Sequence, residues 1–235
     1  MARVLILDFG SQTTQLIARR VRELEIYCEI LPCTAPLAKL KAFDAAAIIL
    51  SGGPASVHEQ GSPRPDKGLW SLGVPMLGIC YGLQVMTEEN GGKVEPGAKR
   101  EFGRARIRVD KDGGLFAGLP NHLDVWMSHG DQVSVLPKGF VVTAHSDTCP
   151  VAAAYDAERR WLGVQFHPEV AHTPDGTSML ARFLFDVCAL TPSWKMGSFA
   201  ADKIAETQKT VGDARAVMAL SGGVDSSVAA VLLHR

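Results

Sequence analysis

Four short apolar runs fall within the first eighty residues, "VLILDF" (4–9), "IYCEIL" (26–31), "AAAIIL" (45–50) and "VPMLGI" (74–79). Between the first two lies "QTTQLIARRVRELE", in which Leu16, Ile17, Val21 and Leu24 recur at helical spacing, and a short helix is expected near residues 35–42. Strands that alternate with helices are joined by right-handed crossovers, which place helices on both faces of a mainly parallel sheet. The expected fold class is therefore α/β, with a mostly parallel central sheet flanked by helices.

Beyond Gly91 the texture changes. "ARIRVD", "LDVWMSH", "DQVSVL", "FVVTAHS" and "VAAAY" read as separate strands joined by Gly, Pro, Asn and Asp, an antiparallel set that extends or flanks the sheet. "WLGVQF" (161–166) returns as an apolar strand, and "TSMLARFLFDVCAL" closes the unit as a helix. Three segments are expected: a first domain over 1–190, a linker and helix over 191–213, and the start of a second α/β domain over 214–235. The linker reading rests on "TPSWKMGSF", the helix covers about 200–210, and the last segment reads as a strand, "ARAVMAL", followed by "SGGVDSS" and the opening of another helix. One strand and one helix cannot cover each other, so this last segment is expected to be a truncated part of its domain.

Composition narrows the function classes. With 46% hydrophobic and 21% charged residues and a formal net charge of -1, there is no electrostatic case for nucleic acid or a membrane surface as partner. The five cysteines are odd in number and scattered, which suggests neither a disulfide framework nor a CxxC metal site. No apolar run approaches the ~20 residues of a membrane span, and the N-terminus lacks a signal-peptide layout, so a cytoplasmic location is the expectation.

One cysteine stands apart. In "VPMLGICYGLQVM" an apolar strand breaks into Gly78-Ile79-Cys80-Tyr81-Gly82 and continues as a helix, the sharp turn that exposes a nucleophile at the edge of an α/β sheet. The positive end of the helix dipole favours a thiolate there, and the glycines relieve crowding. Of the seven histidines, His167 follows the strand "LGVQF" directly, so its imidazole is expected at the same carboxyl edge as Cys80, with Glu169 two positions on to hold its tautomer. In isolation, His-Pro-Glu is an ordinary loop tripeptide; joined to the elbow it completes a nucleophile, a base and an orienter. "ILSGGPASV" is a third strand running into glycines. Gly52-Gly53-Pro54 reads either as a plain tight turn or as a loop that aims an amide at the site, where the Tyr81 amide would be a second oxyanion donor. "SGGVDSS" lacks the spacing and lysine of a Walker A motif; following a strand and opening a helix, it reads as a flexible turn or as a phosphate cradle.

Together, "GICYGLQ", "FHPEV" and "LSGGP" resemble the triad glutaminase domain of class I glutamine amidotransferases. "ILDFGSQ", "REFG", "DVWMSHGD", "GVQFHPEV" and "LSGGVDSS", in that order, narrow the likeness to the GMP synthase family. The resemblance implies Cys80 as nucleophile, His167 as general base and then acid, and Glu169 as its orienter. Gly53 and Tyr81 are implied as oxyanion donors, and Gln84, Ser128, His129, Gly130 and Asp131 as contacts to the substrate glutamine. It also implies an ATP-binding loop, Ser221, Gly222, Gly223, Val224, Asp225, Ser226 and Ser227, like that of ATP pyrophosphatases, with ATP and Mg²⁺ serving a synthetase domain in cis that converts XMP to GMP. Glutamine hydrolysis itself needs no cofactor, no metal site is implied in this chain, and the full-length enzyme is expected to be a homodimer. The competing readings are a glutaminase serving another acceptor, of the anthranilate or carbamoyl phosphate type, and a catalytically silent regulatory module. The 221–227 loop opposes the first and the intact Cys80, His167 and Glu169 oppose the second. The remaining cysteines, Cys149 among them, are expected to be packing residues, and "RRVRELE" a solvated helix face.

Overall fold

The computed structural model describes residues 2–110 and 113–234. Its strands are β1 (Arg3–Asp8), β2 (Tyr27–Pro32), β3 (Ala47–Leu50), β4 (Met76–Ile79), β5 (Lys93–Val109), β6 (His122–Val135), β7 (Val141–His145), β8 (Ala153–Asp156) and β9 (Trp161–Val164). The helices are α1 (Thr14–Glu23), α2 (Leu37–Phe43), α3 (Tyr81–Glu89), α4 (Gly176–Arg182), α5 (Met196–Val211) and α6 (Val224–His234). The chain divides into two units, Met1–Pro192 and Ser193–Arg235.

In the first unit, alternation along the apolar strands sorts side chains to two faces. Val4, Ile6, Ala47, Ile49, Leu77 and Ile79 join a core with Ile17, Ala18 and Val21 of α1 and Met179 and Leu180 of α4. Leu5, Leu7, Ile48, Leu50 and Met76 join a second core with Leu40 and Phe43 of α2 and Leu83, Val85 and Met86 of α3. Burial on both faces explains why these strands are apolar throughout; each fully buried Leu or Ile contributes about 1.5–3 kcal/mol.

Among the described residues one sheet runs in the order β2-β1-β3-β4-β9-β8-β7-β5-β6. Pairing is parallel from β2 through β9 and antiparallel from β9 through β6, so the sheet is mixed, and the antiparallel set extends it. Two expected strands, "LDVWMSH" and "DQVSVL", are one continuous strand, β6, because β5 pairs along most of its length and carries it through Gly130 with a register shift between Pro96 and Glu101. The closing helix is α only to Arg182 and winds one π turn over Phe183–Val187.

In the second unit α5 begins at Met196, inside the stretch read as linker. "ARAVMAL" is not a strand: a strand's amides and carbonyls need a neighbouring ladder, and none of the described residues supplies one. Val217 and Leu220 are exposed, as are Val224, Val228, Val231 and Leu233. Among the described residues, no helix is long and apolar enough to cross a membrane.

Candidate active site

Four neighbouring parallel strands, β1, β3, β4 and β9, end on one edge of the sheet, and the segment that follows each of them contributes to a single site. β4 and β9 pair from Met76↔Trp161 to Ile79↔Val164, so Cys80, one residue past β4, and His167, three past β9, start from adjacent strand ends. The Cys80 amide donates to the Val164 carbonyl at 2.8 Å, which ties the turn to β9.

Cys80 has φ 50° and ψ −106°, a left-handed conformation that costs a non-glycine residue about 1–3 kcal/mol. The neighbouring glycines make the turn possible by allowing backbones to touch. A Cβ at Gly78 would meet the Leu83 amide nitrogen at 2.7 Å, and one at Gly82 would meet the Leu50 carbonyl oxygen at 2.4 Å. Gly52 is less confined but still tight, since a Cβ there would lie 3.0 Å from His167 Cε1 and 3.7 Å from Cys80 Cβ. The imidazole and the Cys80 side chain thus flank this glycine.

His167 Nδ1 lies 2.8 Å from Glu169 Oε1, and Glu169 is wholly buried. Burial works against a charged imidazole, but hydrogen bonds and opposite charge from Cys80 and Glu169 outweigh it and raise the His167 pKa to about 10. The His167 main chain is pinned as well: its amide donates to the Trp126 carbonyl at 2.9 Å, and its carbonyl accepts from Thr173 Oγ1 at 2.6 Å.

On the other side of Cys80 opens a cavity of about 560 Å³, lined in part by Gly53, Gln84, Arg100, Ser128, Gly130 and Asp131. This is within the ~300–1,000 Å³ of small-molecule sites. Tyr81 opens α3, so its amide has no partner within the helix, and Gly53 lines the cavity at the end of β3. A Cβ at Gly53 would fall 2.7 Å from the Phe9 carbonyl oxygen, so only glycine lets this loop pass so close. Gln84 is buried at the cavity wall, its Nε2 donating to the Asp131 carbonyl at 2.8 Å. The Ser128 carbonyl accepts from Cys80 Sγ at 3.5 Å, and Asp131 Oδ2 accepts from Ser56 Oγ at 2.5 Å. His129 is in β6, its Nδ1 3.1 Å from the Asp131 carbonyl and its Nε2 3.0 Å from Glu101 Oε2.

Several contributors are not legible in the sequence. Thr13 Oγ1 donates to Glu169 Oε1 at 2.7 Å, and Arg20 Nε donates to the Glu169 carbonyl at 3.3 Å, so one arginine of the supposed solvated helix face reaches the site. Gln165 Nε2 approaches Cys80 Sγ at 3.6 Å while its Oε1 accepts from Gln84 at 3.3 Å. The one signal for Thr13 is "GSQTT" directly after an apolar strand, the position at which a loop enters the carboxyl edge.

The predicted phosphate loop lies in the second unit. Gly222 has φ +81°, Ser221 Oγ and Ser226 Oγ are 3.0 Å apart, and the Ser226 and Ser227 hydroxyls donate to the Gly223 carbonyl at 3.0 and 2.8 Å. Val224 and Asp225 open α6, so first-turn amides and serine hydroxyls share one end of the helix.

A family model described as glutamine amidotransferase class-I matches residues 5–187. Proteins named GMP synthase [glutamine-hydrolyzing] from Aquifex aeolicus (strain VF5) and Clostridium perfringens (strain 13 / Type A) are 54% and 52% identical over 232 residues, 99% of this chain. The chain spans 46% of the length of each of these relatives. A solved structure from Thermoplasma acidophilum, named for GMP synthase, superposes with a TM-score of 0.73 at 31% identity, covering 80% of this chain and 94% of that one. A glutamine amidotransferase from Thermotoga maritima, at 20% identity and a TM-score of 0.65 over 80% of this chain and 99% of its own, shares the fold.

Proposed function

The chain belongs to the glutamine amidotransferase class-I family, and on that premise we propose that its first unit hydrolyses glutamine to glutamate and ammonia. The observation that carries this reading is the line of three side chains on one sheet edge, Cys80 against His167 and His167 Nδ1 on Glu169 Oε1 at 2.8 Å. As the thiol attacks, His167 takes its proton, and Glu169 balances the imidazolium that forms. Cys80 Sγ attacks the carboxamide carbon, and the amides of Gly53 and Tyr81 receive the oxygen's developing charge. The C–N bond then breaks as His167 protonates the departing nitrogen, which leaves as ammonia. Water, deprotonated by the now neutral His167, hydrolyses the γ-glutamyl thioester and returns the proton to the pair. Gln84, Ser128, His129, Gly130 and Asp131 hold the rest of the glutamine in the cavity.

The ammonia serves a synthetase domain in cis that converts XMP to GMP, a reading supported by the likeness to proteins of that name. Residues 221–227 have the donors that suit a phosphate chain, backbone amides and hydroxyls at a helix start. They would hold ATP with its Mg²⁺, which supplies adenylation of the XMP C2 oxygen. In this reading the segments are a glutaminase domain over 1–190, a linker and helix over 191–213, and the opening of the pyrophosphatase domain over 214–235. The full-length enzyme works as a cytoplasmic homodimer.

A glutamine-analogue diazoketone is expected to label Cys80 stoichiometrically, and Cys80→Ala to abolish glutamate release. Undiminished hydrolysis by the Ala variant would overturn the assignment. A strain deleted for the gene is expected to require guanine; a requirement for tryptophan, folate or arginine instead would point to another acceptor.

A further inference from the structure

Glu101 on β5, His129 on β6 and Cys149 in the turn between β7 and β8 converge behind the cavity wall, and one donor atom from each lies within 4.8 Å of the other two. Their environment is closed: the His129 side chain is 2% exposed, that of Glu101 is 12% exposed, and Cys149 is fully buried.

Hydrogen-bond chemistry makes this cluster unusual. His129 Nδ1 faces the Asp131 carbonyl, which can only accept, so Nδ1 carries a proton. In the neutral ring Nε2 is then a bare lone pair. It sits 3.0 Å from Glu101 Oε2, also an acceptor, and the two atoms do not meet in hydrogen-bond geometry: both are buried with no hydrogen-bond partner among the described residues. The other carboxylate oxygen, Oε1, is taken by the Thr148 hydroxyl, so Oε2 is turned toward the imidazole. Two buried acceptors side by side, with a thiol as third neighbour, call for a positive centre between them.

We propose that Glu101, His129 and Cys149 form a binding site for a thiophilic divalent cation of the Zn²⁺ class. The donor set is that of zinc sites, a thiol, an imidazole and a carboxylate, and three protein ligands leave a fourth position for water. A ligating histidine usually donates its remote ring N–H to a carbonyl or carboxylate, as His129 does to Asp131. Binding releases the Cys149 thiol proton to solvent and forms the metal–sulfur bond; no electron transfer is involved. The bound ion ties β5, β6 and the β7–β8 turn together, and so braces the wall that carries Ser128 to Asp131. Cys80 is not one of its ligands, whereas His129, which also lines the cavity, belongs to both sites.

Zn²⁺ and Co²⁺ are the probes, and Cys80→Ala is the background, so that the catalytic thiol cannot mimic the site. Titration of the Cys80→Ala chain is expected to show one equivalent of tightly bound Zn²⁺, a thiolate-to-Co²⁺ charge-transfer band, and a rise in unfolding midpoint with added Zn²⁺. Adding Cys149→Ala is expected to remove the band and the rise in midpoint and to weaken binding at least about tenfold. Glu101→Gln, which keeps the carboxylate's shape, is expected to weaken binding while leaving the metal-free midpoint near that of the parent, and it serves if the Cys149 variant fails to fold. Absence of stoichiometric binding to the Cys80→Ala chain would overturn the proposal, as would binding unchanged by both variants. A proton shared between Glu101 and His129 would then be the cation in the cluster.

Discussion

Thr13 Oγ1 donates to Glu169 Oε1 at 2.7 Å, the same oxygen that His167 Nδ1 meets at 2.8 Å. His167 and Glu169 are close neighbours in the chain, but the hydroxyl that holds the carboxylate comes from the turn after β1. The other oxygen of Glu169, Oε2, is buried with no hydrogen-bond partner among the described residues, so Oε1 carries the contacts that set the carboxylate's plane.

Thr13→Val removes one hydrogen bond to a charged group, worth about 1.5–3 kcal/mol, part of which is recovered by repacking. The expected outcome is a kcat for glutamine hydrolysis lowered about tenfold with KM little changed, restored by Thr13→Ser. Glu169→Gln is expected to cost more, roughly 10²–10⁴ in kcat, because it removes the charge that balances the imidazolium. Steady-state glutamate release measures both.

Gly82→Ala tests the elbow. Its Cβ would lie 2.4 Å from the Leu50 carbonyl oxygen and 2.7 Å from Leu50 Cβ, and neither backbone can yield without moving β3 or α3. A loss of about 1–3 kcal/mol in unfolding free energy is expected, together with loss of diazoketone labelling at Cys80. Gly197→Ala, in α5, where a Cβ meets nothing within 4 Å, is the control and is expected to leave labelling unchanged and to raise the unfolding free energy by no more than about 1 kcal/mol.

The raised pKa of His167 makes stability depend on pH. A group whose pKa goes from 6.5 to about 10 on folding favours the fold in its charged form. Its contribution is therefore complete below 6.5 and is lost as pH rises through about 10. The difference in unfolding free energy between the parent and His167→Gln is expected to decline across that window, no more steeply than about 1.4 kcal/mol per pH unit. Denaturant titrations at a series of pH values would show it; a difference that grew with pH would contradict the assignment of an imidazolium.

Arg100 lines the cavity with its stem and Nε close to Gly130, and has no ion-pair partner among the described residues. A free guanidinium above a small-molecule cavity suits the α-carboxylate of glutamine. Arg100→Met is expected to raise KM for glutamine about tenfold with a smaller change in kcat, and to leave hydrolysis of 4-aminobutyramide, which lacks that carboxylate, unaffected. Equal losses on both substrates would mean that Arg100 shapes the wall only.

Local periodicity was enough to determine the parallel half of the sheet and the placing of Cys80 and His167 at its carboxyl edge. Apolar runs four to six residues long, helical spacing between them and a glycine-flanked turn are all written within short windows of chain, and crossover handedness then puts helices on both faces of a parallel sheet; the order of the strands came from the tertiary structure. Tertiary structure alone decided that "LDVWMSH" and "DQVSVL" are one strand, since the length of β6 depends on β5 pairing across Gly130. It alone brought Thr13 and Arg20 to Glu169, and it placed Glu101, His129 and Cys149 around one point. Those meetings join segments tens of residues or more apart through register and packing, and a hydroxyl, a guanidinium or a thiol carries no local pattern that says which distant group it will face. The same dependence undid "ARAVMAL", whose composition suits a strand but whose backbone finds no ladder among the described residues.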